Sequence, residues 1–227
     1  MLLLTGIEFK PGARVAGIPA GFTRLFNGRD LTGWHVSRTT HQGTTPDVRV
    51  EDSAIVLRQR PYGQGGLLMT DRKFKNFELV LEAKPDWGTN GGIFFRSSEG
   101  GSAYQIEVEG GGTGGTGSLF GEMLAVKTPV QAKGVQSVWR SDDWNAFRIR
   151  VEGDAPRVTL WINDVEIYNA QLGRNDLIGG RTDGMIALQS HWSSTFEPVA
   201  GSFDMSSSWK PGAAHRYRNV AIRELPQ

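Results

Sequence analysis

Apolar and polar residues alternate along most of the chain. Phe77, Leu79, Leu81 and Ala83 alternate with Glu78, Val80, Glu82 and Lys84. Successive side chains of a β-strand point to opposite faces, so a period of two predicts a strand with one face turned to a core. The same period recurs at 104–109, where Tyr104, Ile106 and Val108 oppose Gln105, Glu107 and Glu109. It returns at 185–191, where Ile186 and Leu188 oppose Ala187, Gln189 and His191, and at 217–225 around Val220 and Ile222. Further strands are predicted at 48–57, as two pieces around Glu51-Asp52-Ser53, and at 66–70, 147–151 and 157–162. The last of these pairs with 166–168 across Asn163-Asp164, a hairpin turn signal. No segment carries the apolar period of a full-length helix. The prediction is all-β: a sandwich or jelly roll of two antiparallel sheets, each burying one face against the other.

Composition narrows this picture. The 227 residues include 30 glycines, as many short strands with tight connections require, and 38% hydrophobic residues, enough for a sizeable core. No linker divides the chain, so residues 1–20, irregular and containing Pro-Gly, are read as an arm, and 21–227 as one domain. A formal net charge of +1 without blocks of like charge excludes a dedicated nucleic-acid binder and suits a small carbohydrate partner. The absence of cysteine removes disulfides and Cys-ligated zinc. No apolar run is long enough to span a membrane, and residues 1–4 are too short for a signal-peptide core. The expected location is periplasmic or extracellular, with the signal absent from this sequence. Oligomeric state is left open.

Candidate chemistry concentrates in residues 89–109. In the first strand of this stretch Gly92, Phe94 and Arg96 fall on one side, and Ile93 and Phe95 on the other. An antiparallel pairing through Ser-Glu-Gly-Gly-Ser would set Arg96 beside Glu107 and Glu109. The same alternation also fits a face that is merely wetted. Gly112, Gly114 and Gly117 satisfy G-x-G-x-x-G, but no βαβ unit surrounds them, and Gly121, Thr128 and Pro129 would interrupt any helix starting there. A mobile loop is therefore predicted rather than a dinucleotide site. Trp87, Trp192 and Trp209 sit in irregular segments and are candidates to stack on sugar rings, against the default that most tryptophans pack in the core.

A family resemblance runs through the same residues, covering about 21–225. Leu25-Phe26-Asn27-Gly28-Arg29-Asp30-Leu31-Thr32-Gly33-Trp34 resembles the Leu-Phe-Asn-Gly-Lys-Asp-Leu-x-Gly-Trp opening of the 3-keto-disaccharide hydrolase family. Asn90-Gly91-Gly92-Ile93-Phe94-Phe95-Arg96 is similar to its Asn-Ser-Gly-Ile-x-x-Arg, and Tyr104-Gln105-Ile106-Glu107-Val108 to its Tyr-Glu-x-Gln-Ile. Thr116-Gly117-Ser118-Leu119-Phe120, Trp144-Asn145, Ile186-Ala187-Leu188-Gln189-Ser190-His191 and Arg218-Asn219-Val220 match further motifs in order. Two departures stand out. Glu and Gln are exchanged between positions 105 and 107, and an insertion including Trp192, Phe196 and Trp209 separates His191 from Arg218. This insertion is expected at the rim of the site.

The resemblance implies a concanavalin A-like jelly roll with its site on a concave face, and cleavage of 3-keto-glycosides by elimination and hydration. Such chemistry needs a base, a stabiliser for the enediolate oxygen and an acid for the leaving group. Glu107 or His191 is the candidate base, the other the acid, and Arg96 the stabiliser, with Gln105, Glu109, Gln189 and Trp192 as substrate-binding candidates. His191 alternatively only hydrogen-bonds within the sheet. No metal site is assigned, although Glu107, Glu109 and His191 form a donor set that would suit a divalent cation. A non-catalytic carbohydrate-binding module is the alternative function, and a structural domain of a surface protein the third.

Overall fold

The computed structural model describes residues 17–110, 115–193 and 209–226. In chain order the strands are β1 (Thr23–Arg24), β2 (Trp34–Val36), β3 (Asp47–Glu51), β4 (Ala54–Arg58), β5 (Gly66–Phe74), β6 (Phe77–Pro85) and β7 (Asn90–Ser97). They continue with β8 (Ala103–Glu109), β9 (Leu119–Glu122), β10 (Asn145–Glu152), β11 (Arg157–Ile162), β12 (Val165–Gln171), β13 (Gly184–Ser190) and β14 (His215–Glu224). Helix among the described residues is limited to two single 3₁₀ turns, Val135–Ser137 and Ile178–Gly180.

The strands form two antiparallel sheets. One runs β12-β11-β10-β6-β14-β4-β3, with β1 added on β14; the other runs β2-β5-β13-β7-β8-β9. The predicted alternations decide the layering. Leu79, Leu81 and Ala83 of β6 turn inward with Phe147 and Ile149 of β10, and meet Ile93, Phe95, Tyr104, Ile106, Val108, Ile186 and Leu188 from the six-stranded sheet. Each such side chain contributes about 1.5–3 kcal/mol by leaving water. Turn chemistry fixes the registers. Asn163 and Asp164 both adopt positive φ between β11 and β12, as do Asp52 and Ser53 between β3 and β4. Asn27 shapes the turn before β2 by accepting hydrogen bonds from the Arg29 and Asp30 amides at 2.7 and 2.9 Å.

In β7 the alternation breaks. Ser97 pairs with Met185 and Phe94 with Ala187, so three steps of β7 oppose two of β13, and Arg96 occupies the bulge with φ of 50°. The extra residue changes which face Arg96 serves. It is fully buried, and its guanidinium donates to the carbonyls of Lys75 (2.9 Å), in the turn that joins β5 of its own sheet to β6 of the other, and Gly153 (2.7 Å), in the β10–β11 turn of the opposite sheet. Arg96 is thus a clamp between the sheets, and not the partner of the carboxylates expected from strict alternation. Trp209 is likewise corrected. It is 1% exposed, donates from Nε1 to the Ala213 carbonyl and packs on His215, so it belongs to the interior. Phe196, most of the 192–217 insertion, Gly112, Gly114 and most of the arm lie outside the described residues.

Candidate functional site on the six-stranded sheet

The outer face of the six-stranded sheet is built by the other half of each alternation. Glu107 of β8 pairs with Gly92 of β7, and Gln189 follows Leu188, the partner of Ile93, so it stands on the far side of Gly92. A strand residue without a side chain therefore separates Glu107 from Gln189. Gln105 fills this gap: a Cβ at Gly92 would lie 2.3 Å from Gln105 Nε2. From there Gln105 Nε2 donates to Glu107 Oε2 at 2.7 Å and to Gln189 Oε1 at 3.1 Å. Asn90, at the start of β7, donates to the other Glu107 oxygen at 2.8 Å.

These groups are enclosed. Glu107 is 8% exposed, Gln105 1% and Gln189 0%. Gly115, in the connection to β9, packs on the Glu107 side chain, where a Cβ would come within 3.2 Å of Glu107 Cγ. Burial pushes the Glu107 carboxyl up to about 8, and the nearby charges of Glu109 and Glu122 push in the same direction while the Asn90 hydrogen bond opposes them. Three amide atoms of the same network, Asn90 Oδ1, Gln105 Oε1 and Gln189 Nε2, have no hydrogen-bond partner among the described residues. Buried polar atoms are nearly always paired, so an unpaired trio around one carboxyl has the character of a site that a polar ligand completes.

His191 and Glu109 border the network. The His191 backbone amide donates to the Asn90 carbonyl at 3.1 Å, placing the ring just beyond Asn90 on the neighbouring strand. Its Nδ1 lies 2.6 Å from the Trp192 carbonyl, which requires Nδ1 to carry hydrogen. The ring stacks on Trp192 with centroids 5.5 Å apart, and Trp192 is 38% exposed. Glu109 Oε2 accepts from the Gly115 amide at 3.2 Å, which ties the covering loop to the sheet. Among the described residues no three His, Asp or Glu side chains are placed to hold a metal ion, so the donor set of Glu107, Glu109 and His191 does not assemble as one.

Beyond the polar network the outer face turns apolar, with Leu67, Met69, Phe94, Ala103, Met185 and Ala187 in one buried cluster. The segment after β2 helps to cover it: Thr40 stands against Gly101, and Pro46 against Gly66. The outer face of the other sheet holds a cavity of about 260 Å³ beside Glu78. That carboxylate is bonded to both Arg148 and Arg223, so its charge is already compensated.

A family model described as the 3-keto-alpha-glucoside-1,2-lyase-like domain matches residues 21–223. The chain belongs to this family. Over 82 residues it is 33% identical to a 3-keto-disaccharide hydrolase of Bacteroides thetaiotaomicron, a match spanning 35% of this chain and 28% of that protein. A crystal structure from Parabacteroides distasonis, assigned to the glycosyl hydrolases, is similar with a TM-score of 0.60 at 20% identity, covering 91% of this chain and 94% of that one. The Bacillus subtilis carbohydrate-binding module CBM66 is similar with a TM-score of 0.57 at 14% identity, covering 85% and 96%. The fold is the jelly roll of galectins and β-glucanases.

As a member of the 3-keto-alpha-glucoside-1,2-lyase-like family, the chain keeps Gln105, Glu107, Glu109 and Gln189 on one face, with His191 and Trp192 at its edge. The exchange of Glu and Gln is accommodated because positions 105 and 107 are bonded to each other. Two residues missed as members of the site are Asn90 and Gly92. Both stood in the Asn-Gly-Gly run, and the signal was a pair of glycines inside a strand, which marks a close approach by another group.

Proposed function

We propose that the chain is a carbohydrate-active enzyme that removes the C1 substituent of a 3-keto-glycoside at the outer face of the six-stranded sheet. The observation that carries this is Glu107, a buried carboxyl pushed up to about 8 and surrounded by three amide atoms without partners among the described residues. A base is most effective when its pKa lies near the working pH, and burial has moved this carboxyl there.

A ketone at C3 acidifies the hydrogen on C2. Glu107 takes that proton and the electron pair moves onto the C3 oxygen as an enolate. As the ketone re-forms, the C1–C2 double bond forms and the C1–O bond breaks, and the departing oxygen takes a proton from His191 Nε2. Water then adds at C1 while C2 regains a proton, releasing the free 3-keto sugar. Gln189 Nε2 replaces Arg96 as the donor for the enolate oxygen; one such donor is worth about 10²–10³ in rate. Asn90 Oδ1 and Gln105 Oε1 accept from sugar hydroxyls, which both donate and accept. The expected periplasmic or extracellular location is part of the same proposal, and cell fractionation decides it.

A non-catalytic carbohydrate-binding module is the second reading. It is favoured by the fact that both Glu107 oxygens already accept hydrogen bonds without any ligand. The deciding experiment compares methyl 3-keto-α-glucopyranoside with methyl α-glucopyranoside. Cleavage of the keto form only, with deuterium from D₂O entering C2, supports elimination. Equal cleavage of both would replace it with ordinary glycoside hydrolysis, and binding without turnover of either would leave the module.

A further inference from the structure

We infer that the cavity between residues 85–87 and 139–143 is a second sugar subsite, which takes the ring leaving from C1; this rests on the reading of the Glu107 face as a glycoside site. The cavity measures about 380 Å³ and its walls include Pro85, Trp87, Trp139, Arg140, Asp142 and Asp143. That combination is what a pyranose ring requires: aromatic surface for its C–H faces, with carboxylate and guanidinium groups for its hydroxyls.

Both walls are held in place by partly buried hydrogen bonds. Asn145 has no exposed surface, and its Nδ2 donates to the carbonyls of Arg140 (2.9 Å) and Asp143 (3.1 Å) while its Oδ1 accepts from the Arg140 amide (2.9 Å). Asn163 adds a fourth bond, to Asn145 Oδ1 at 2.8 Å. The loop thus closes on one buried amide, and Asp142 holds a φ of 56° inside it. On the other wall Asp86 receives the Ala214 amide at 2.9 Å and Arg216 at 2.5 Å, and the Thr89 hydroxyl donates back to the Asp86 carbonyl at 2.6 Å. Between these anchors Trp87 is 55% exposed, with the Lys210 ammonium 5.6 Å from its ring centroid. A large apolar ring exposed on a fixed backbone binds with little loss of conformational freedom.

The position relative to Glu107 suits one substrate. Trp87 precedes Asn90, the residue that bonds Glu107, by three residues, and three residues of extended chain span at most about 11 Å. A disaccharide has the length to place its ketone-bearing ring at Glu107 and its other ring against Trp87.

The test uses the full chain with maltose and methyl α-D-glucopyranoside as calorimetric ligands, and their 3-keto forms as substrates. Wild-type protein should bind maltose at least tenfold more tightly than the methyl glycoside. Trp87→Ala and Asp143→Asn should each remove that advantage, raise KM for 3-keto-maltose about tenfold, and leave the methyl glycosides and the melting temperature unchanged. Equal wild-type affinity for the two sugars, or variants that weaken both alike, would overturn the subsite. Failure of the elimination reading looks different: no keto-sugar is turned over, yet the dependence of binding on ring number and on Trp87 persists.

Discussion

Gln105 donates its side-chain amide to Glu107 across 2.7 Å, from two residues earlier on the same face of one strand. The two positions therefore work as one carboxylate–amide unit, and the Glu–Gln exchange relative to the family motif moves the charge within that unit without dissolving it. Glu107→Gln should lower turnover of a 3-keto-glycoside roughly 100-fold or more, with the fold and sugar binding kept. The double variant Gln105→Glu/Glu107→Gln restores a carboxylate in the family arrangement and should recover part of that loss. Steady-state kinetics decides both, and full activity of the single variant would remove Glu107 as the base.

The raised carboxyl also predicts how activity and stability depend on pH. As the base, Glu107 must lose its proton while His191, as the acid, must hold one, so kcat/KM should pass through a maximum with pH, and the limb set by Glu107 should lie near 8. The folded protein keeps this proton to about pH 8, whereas the unfolded chain releases it near 4.5, so Glu107 makes stability fall as pH rises through that window. The slope is at most about 1.4 kcal/mol per pH unit. His215 acts in the opposite direction: burial lowers it from 6.5 to about 3, so its contribution is lost as pH falls through that range. Urea denaturation of wild type and Glu107→Gln at pH 5.5, 7 and 8.5 isolates the first effect, which is absent in the variant.

Gly92→Ala tests the gap that Gln105 fills. Gly92 has no positive φ, so alanine suits its backbone, but the new Cβ would sit 2.3 Å from Gln105 Nε2. Gln105 must swing away, breaking its bonds to Glu107 and Gln189. Sugar affinity should drop about tenfold, at a cost in stability of about 1–3 kcal/mol. Calorimetry showing unchanged affinity would mean that Gln105 is not part of the binding surface.

Arg96 and Trp209 should behave as structural residues. Arg96→Lys leaves carbonyls of Lys75, Gly153 and Asp154 short of donors and should cost about 2–4 kcal/mol, with kcat of the folded fraction retained. Trp209→Ala opens a large interior hole and should cost about 3–5 kcal/mol. Trp192→Ala, at an exposed position, should change stability by less than about 0.5 kcal/mol. A kcat collapse in Arg96→Lys with a normal melting temperature would return Arg96 to the chemistry.

The sheets were legible because period two is a direct image of strand geometry: Phe77 to Ala83 and Tyr104 to Val108 face the core as their spacing requires. The shared face of Gln105, Glu107, Glu109 and Gln189 was legible for the same reason. Arg96 was misplaced because a bulge adds one residue without a sequence mark of its own; the left-handed φ is held by an arginine where glycine would have flagged it. β2 and β9, of three and four residues, are too short for an alternation to register. Trp209 stands beside a Ser-rich run that reads as exposed loop, and its burial comes from contacts with His215 and Ala213, which no local pattern encodes.

The clamp formed by Asn145 separates shape from identity in the neighbouring loop. Every bond it makes within residues 140–143 is to the main chain, so it holds the path of that loop without using the side chains at 141 and 142. Position 141 can be exchanged for others while the wall keeps its outline, whereas 142, at a φ of 56°, is held to Asp, Asn or Gly, so selectivity can drift at 141 without the fold having to change with it. Asn145 itself has no such latitude, since every amide atom it carries is committed to holding a neighbour.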